Sequence, residues 1–536
     1  MTSSKIKQIF FKLIFLAAFK SFSAVAAPIS LIPDDSAIVE LPAIQIGTVV
    51  KDVNSNSNGI TVIGLDDINI NNTGFSYDDQ EGYAFDVWQG ADNKTLSNVL
   101  DHLDTGFKFN VFYDIVKKLL TVSAKPPLNA DNFLYYRLKT LVKLGMTSES
   151  LKLIKMAGLK NFDNIIKPKI DGLYLLLLLI EDTKICDNFK SLGDNLDNIT
   201  KQKIEAVCYL NQNQNDKALL KVNLLRDSGY SDNDFYNLIE YITGASLSKP
   251  DMATIVVSPL NIIAALNNKE LANLLPEETD NIWYYKVLAL NNRTPASKRI
   301  KAAEKALSLG IIKNDIVEKA YFDAEFKPKE LEKALSIAAK ISPHMGRAIL
   351  YQSIINRKSS AEQIEIIAKA FSLEKSRESL VINASVYNPI INELVFSKNI
   401  SWFYNYAACS MVYSNSLNRI NEVLDTVAII KTKKTALAMV LSRFFNISYN
   451  QSADYEQIEP FTCVALNGEV LSGMEHKNSG ETLLILASVL KTTEPAKICP
   501  HTLEKILNLL KRKGFKKEAE NIAYQALIES YNILNY

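Results

Sequence analysis

Apolar residues recur at helical spacing over most of this chain, and its C-terminal stretch shows the unit most plainly. Leu503, Ile506, Leu507 and Leu510 lie at i, i+3, i+4 and i+7, one face of a helix. Gly514 follows, a residue free to take the left-handed backbone that stops a helix. Ala519, Ile522, Ala523, Ala526 and Leu527 then repeat the spacing, and their small side chains let a second helix approach the first. The pattern predicts an antiparallel helical hairpin.

The same layout occurs earlier. Leu134, Leu138 and Leu141 precede Gly145, and Met146, Glu149, Leu151, Ile154 and Ala157 follow it. Asn213 with Ala218-Leu219 gives the same turn with Asn in place of Gly, and a further turn near Glu181-Asp182 follows the apolar run 173–180. That run is too short to span a bilayer and predicts a buried helix. Turns near 145, 181 and 213 lie 36 and 32 residues apart, close to the period of tetratricopeptide-type repeats. The hairpins resemble tetratricopeptide or Sel1-like repeats, without the Trp-Leu-Gly and Tyr positions of the former. Further helix starts are predicted at Thr294-Pro295, as a cap then a first-turn Pro, and at Ser360 with Gln363, as a capping box. Pro250, Pro259, Pro276 and Pro389 predict breaks.

Residues 27–93 follow a different rule. The β-branched runs 44–53 and 60–65 flank Ser55-Asn56-Ser57-Asn58-Gly59, and Asn-Gly is a hairpin turn signal. The expected fold class is all-α: an irregular α-solenoid of antiparallel helical hairpins behind a short extended or β leader. Its parts are a leader over 27–93, tetratricopeptide-like repeats over 94–250, and irregular repeats over 251–536.

Composition adds an address. Lys5, Lys7 and Lys12 form a basic n-region, residues 9–11 and 13–18 make a short apolar run, and Ala24-Val25-Ala26 supplies a small-x-small cleavage pattern. Residues 1–26 therefore predict a signal peptide, a mature start at Ala27, and a periplasmic or secreted protein. No Cys follows the cleavage site, which argues against a lipid anchor. Hydrophobic content of 47% with 22% charged residues is ordinary for a folded chain. The net charge of +1 points to no nucleic-acid partner, but its distribution is uneven. Eleven acidic residues against Lys51 give 27–93 a net charge of −10, whereas 94–536 carries +7. The acidic leader is thus a candidate internal ligand for a basic surface. Lys505, Lys511, Arg512, Lys513, Lys516 and Lys517 form the candidate basic, partner-binding patch, although lysines also favour solvated helix ends.

In an oxidising compartment the five cysteines are candidate bridges. The expected pairs are Cys186–Cys208, on neighbouring helices, and Cys463–Cys499, flanking a Gly-containing loop. Cys409 is left buried and free. No CxxC and no His pair supports zinc, and nothing calls for another metal or a cofactor.

Catalytic patterns are sparse. Arg377-Glu378-Ser379-Leu380 with Tyr387-Asn388-Pro389 partly echoes the Glu-Ser motif of lytic transglycosylases, but the Gly-Leu-Met-Gln segment is missing. Asn54, Asn56, Asn58 and Gly59 mimic a calcium loop that has Leu65 where its bidentate Glu belongs. The segment 473–480 lacks the spacing of a phosphate loop. His102, His344, His476 and His501 have no metal-ligand or acid partner at useful spacing. Trp402, Tyr406, Cys409 and Tyr413 share a helical face better suited to core packing than to stacking a ligand.

The whole chain also resembles a set of uncharacterised exported alphaproteobacterial helical-repeat proteins, some labelled antifreeze-glycopeptide-related. The resemblance lies in Val62-Ile63-Gly64-Leu65-Asp66, in Phe85-Asp86-Val87-Trp88-Gln89-Gly90, and in Cys186 and Cys208. It implies helical architecture and no particular activity, and the label itself has no Ala-Ala-Thr repeat to support it here. The expected function is an exported, non-catalytic α-solenoid that binds a protein or peptide, associated with the cell envelope. The alternative is a cell-wall enzyme or accessory of divergent lytic-transglycosylase type.

Overall fold

The computed structural model describes residues 69–75, 83–103, 110–130, 132–162, 166–181, 186, 198–357, 359–394, 435–445, 465–466, 473–475 and 478–530. The chain divides into two compact units, Met1–Gly64 and Leu65–Tyr536, and every described residue belongs to the second. The signal residues, the leader hairpin, the 402–413 aromatic stripe, Cys409 and Cys463 lie outside the described residues.

The fold is all-α, built from helices packed against their neighbours, with no strand among the described residues. Among the described residues, the first eight helices are α1 Asn93–His102, α2 Asn110–Thr121, α3 Phe133–Lys143, α4 Thr147–Ala157, α5 Lys167–Glu181, α6 Asn198–Asn211, α7 Asn215–Asp227 and α8 Asn233–Thr243. Three short helices follow: α9 Met252–Ile255, α10 Pro259–Ala265 and α11 Lys269–Leu274. Next come α12 Ile282–Leu290, α13 Ala296–Ser308, α14 Asn314–Phe322, α15 Pro328–Glu332, α16 Ala334–Ile337, α17 Pro343–Ile355, α18 Ser360–Ser372 and α19 Arg377–Glu393. The last are α20 Thr435–Phe445, α21 Ser479–Leu490, α22 Pro500–Arg512 and α23 Lys516–Ser530.

One turn recurs. The pairs α3/α4, α6/α7 and α22/α23 are each joined by three residues, the middle one left-handed: Gly145 at φ 74°, Asn213 at φ 59° and Gly514 at φ 91°. Each turn closes with the same wide bond, Met146 N–H to Leu141 O (2.8 Å), Gln214 N–H to Tyr209 O (2.8 Å) and Phe515 N–H to Leu510 O (2.9 Å). These bonds satisfy carbonyls the helix end would otherwise leave unpaired. Asn213 serves in this role because its short polar side chain tolerates the left-handed region. Gly310, at φ 74°, closes α13 in the same way through Ile311 N–H to Ala306 O (3.0 Å).

Three local expectations are corrected. Pro295 stands before α13 as its cap residue rather than in its first turn. Ser360 is already helical, so no capping box forms, and the Gln363 amide donates backwards to Ile354 O (3.3 Å) and Arg357 O (3.1 Å). Pro389 lies inside α19 and does not end it. A proline has no N–H for the carbonyl four residues back, here that of Ser385. Asn314 of α14 replaces the missing donor: its Nδ2 lies 2.9 Å from Ser385 O, and the Ser385 hydroxyl donates to Asn314 Oδ1 at 2.5 Å.

Packing departs from simple sequence order. The buried helix α12 touches α3, α5, α10, α13 and α14, and joins the early hairpins to the later ones. The C-terminal elements return to the beginning: α21 packs on α1 and α2, and α23 packs on α2. A single core accordingly runs from Tyr83 to Ile311 and takes in Leu437, Leu484, Leu507, Phe515 and Ala523. Two smaller clusters serve α12 to α19. The run 173–180 is helical within α5, and Leu175, Leu177, Leu179 and Ile180 are buried. Among the described residues no helix is long and apolar enough to cross a membrane.

The packed body also begins before residue 94. Tyr83, Val87 and Trp88 are buried. The Tyr83 ring meets Phe515 edge-on at 5.3 Å between centroids, and the Trp88 ring meets Phe133 at 5.7 Å. Gly480 N–H donates to Val87 O (2.9 Å), and a Cβ on Gly480 would lie 2.7 Å from the indole. The aromatic residues in 83–88 anchor this end of the acidic stretch, whatever its charge does elsewhere.

Candidate functional site

Cys186 and Cys208 form a disulfide, with Cα atoms 5.0 Å apart. Cys208 lies on α6, and Cys186 lies in a 3-10 turn beyond the end of α5. Gln212 and Asn211 fix this connection, through Gln212 Nε2 to Cys186 O (2.9 Å) and Asn211 Nδ2 to Cys186 Sγ (3.6 Å). Arg293 completes the cluster by donating to Asn211 O at 2.6 Å, closing the C-terminus of α6. Cys499, just before α22, is disulfide-bonded as well, and its partner lies outside the described residues.

The C-terminal basic patch is partly occupied by the chain itself. Lys511 Nζ sits 3.7 Å from the centre of the Phe444 ring and 3.3 Å from Phe444 O. Arg512 pairs with Glu475 at 2.7 Å, and Lys513 donates to Glu475 O at 3.0 Å. Lys516 lies 3.9 Å from Glu520, and Lys505 is exposed. Three of the six cations therefore hold α22 to α20 and to residues 473–475, and Lys505 and Lys516 present the most open charge.

The sequence reading missed the buried polar groups. Arg137 is fully buried, with no carboxylate partner among the described residues, and its guanidinium donates to four carbonyls. These are Leu120 O (2.8 Å), Val122 O (2.8 Å), Thr73 O (2.9 Å) and Asn71 O (3.3 Å). Burial pushes its pKa down to about 9, still charged at neutral pH, and the carbonyls at the C-terminal end of α2 favour that charge. Asn71 also supplies a remote cap, its Oδ1 accepting from Leu134 N–H at 2.9 Å. A second group lies between α13 and α17. Arg347 forks onto Glu304 at 2.7 and 2.5 Å and reaches Glu374 at 2.8 Å. Tyr321 donates to Glu304 at 2.6 Å, and Asn383 to Glu374 at 2.9 Å. Burial and the adjacent Glu304 hold the Tyr321 hydroxyl well above its usual range.

A third group has the composition of a catalytic centre. Lys286 of α12 is buried and donates to Ser148 Oγ at 2.8 Å and to Glu181 Oε1 at 2.8 Å. Ser148 donates onward to Glu181 Oε2 at 2.9 Å, and Thr147 donates to Glu181 Oε1. A serine nucleophile needs a base that accepts its proton. Here the lysine donates to the serine, and the carboxylate is occupied by two hydroxyls and an ammonium at the N-terminus of α4. The group ties α4, α5 and α12 together. No such network could be read from spacing, because its members are separated by 33 and 138 residues.

Glu378 falls in the first turn of α19, behind the Ser376 cap, whose Oγ accepts from Ser379 N–H at 3.2 Å. Among the described residues no three His, Cys, Asp or Glu side chains are grouped to hold a metal ion. No family model, curated protein or solved structure matches this chain.

Proposed function

We propose that the protein is an exported, non-catalytic α-helical scaffold that binds a protein or peptide partner. The observation carrying this reading is the repeated hairpin: helices stacked through one recurring turn build extended surfaces that cannot all be buried, and such surfaces commonly bind other chains. Lys505 and Lys516, exposed on the last hairpin, extend this reading to an acidic partner segment, including the chain's own leader. The export part rests on the signal pattern of residues 1–26.

Crosslinking in the native host, followed by peptide mapping, tests the scaffold. Crosslinks from one partner gathered on hairpin helices support it, and crosslinks scattered over the surface count against it. Cell fractionation with N-terminal sequencing tests export, with Ala27 expected first. Removal of the leader must stop before residue 69, because Asn71 and Thr73 hold Arg137. A zymogram on peptidoglycan tests the enzymatic alternative: clearing that Glu378→Gln abolishes would replace the scaffold reading.

A further inference from the structure

Helix α7 carries apolar residues on two opposite faces. Ala218, Val222 and Leu225 face the core and are fully buried. Leu220 and Leu224, one turn apart on the other side, are 55% and 44% exposed. Lys217 and Asp227 extend that outer line at spacings of three, four and three residues, and both are exposed. This is the spacing of a coiled-coil seam. Of the neighbouring charges, Lys221 pairs with Glu205 at 2.5 Å and Arg226 with Glu240 at 2.6 Å; Asp216 is exposed beside Lys217, whose ammonium lies 5.6 Å from the centre of the Tyr209 ring.

We propose that the outer face of α7 pairs with the same face of a second copy of this chain, antiparallel about a two-fold axis near Val222. The charge order selects this occupant. In an antiparallel pair centred on Val222, Leu220 of each copy lies level with Leu224 of the other. Lys217 then lies level with Asp227 at both ends, so two leucine layers are closed by two opposite-charge layers. A parallel pair would instead set lysine against lysine and aspartate against aspartate. The isologous arrangement matches the commonest symmetry of homo-oligomers. Two apolar layers make a small interface, so the pairing belongs to the transient class. This inference does not rest on the partner-binding reading.

Sedimentation velocity on the purified protein, from low to high micromolar concentration, provides the test. The expected result is a monomer–dimer equilibrium that Leu220→Asp abolishes, with an unchanged helical circular dichroism spectrum. Lys217→Asp and Asp227→Lys should each weaken the dimer by about tenfold or more, because each sets like charges together at both ends. Mixing these two variants should restore the dimer as a heterodimer, an outcome that only pairing between copies can produce. The proposal is overturned by wild-type protein that stays monomeric throughout, by charge variants that associate like wild type, or by a mixture that fails to recover. Monomeric wild type that captures a different protein through Leu220 also overturns it.

Discussion

At the scale of single residues, the most consequential side chains are polar ones placed where an apolar residue would be expected. Arg137 closes four carbonyls from two separate segments. Arg137→Met keeps much of the volume but leaves those acceptors unpaired, several of them buried. The expected loss is about 3 kcal/mol or more, read as a lower thermal midpoint and earlier proteolysis around residues 69–75. His344 supplies a pH dependence. Its Nε2 faces the hydroxyls of Ser297 (2.8 Å) and Ser342 (3.2 Å), which can donate only to the neutral ring. Partial burial holds its pKa below the usual value, while Glu304 opposes the shift. The folded protein thus binds this proton less readily than the unfolded chain. The stability involved is complete above the unfolded value of about 6.5 and is lost as pH falls below it. Between about pH 7.5 and about pH 5.5, the thermal midpoint of His344→Gln should fall less than that of wild type. An equal fall in both would show that the ring is not the group responsible.

At the scale of elements, hairpins with a local stop signal were legible and those needing a distant partner were not. Gly145, Asn213 and Gly514 could be placed as left-handed turns because the apolar spacing before each one ended there. The buried helix around 173–180 was legible for the same local reason. Pro389 misled, because the residue that makes a helical proline tolerable lies 71 residues from the carbonyl it satisfies. The buried networks around Arg137, Lys286 and Arg347 were illegible on the same ground: their partners are set by packing, not spacing. The Pro389 case can be tested directly. Asn314→Ala should cost about 1–2 kcal/mol by leaving the Ser385 carbonyl unpaired. The same substitution in a Pro389→Ala background should cost much less, since an alanine N–H can close the helix itself. Equal costs in the two backgrounds, measured by urea unfolding, would remove Asn314 from that role.

At the scale of the whole described body, the two ends of the array are held against each other. Tyr83 and Lys118 both donate to Glu518, at 3.0 and 2.9 Å, and Trp88 packs over Gly480. Trp88→Ala should destabilise the body by about 3–5 kcal/mol, and hydrogen exchange should rise in α1, α2 and α21 together. Exchange that rose only next to residue 88 would show that the contact is local. The Tyr83–Glu518 contact bridges 435 residues, and this has a kinetic meaning. Helices α1 and α2 leave the ribosome well before α21 and α23, which pack over them. Until then Leu100, Phe112 and Leu119, buried in the finished body, lack their final neighbours. Contacts so distant in sequence are formed at a high entropic cost and so form slowly. Assembly of this body is therefore timed by α21 to α23, and a chain interrupted before α21 is left with sticky early helices rather than a shorter version of the same fold.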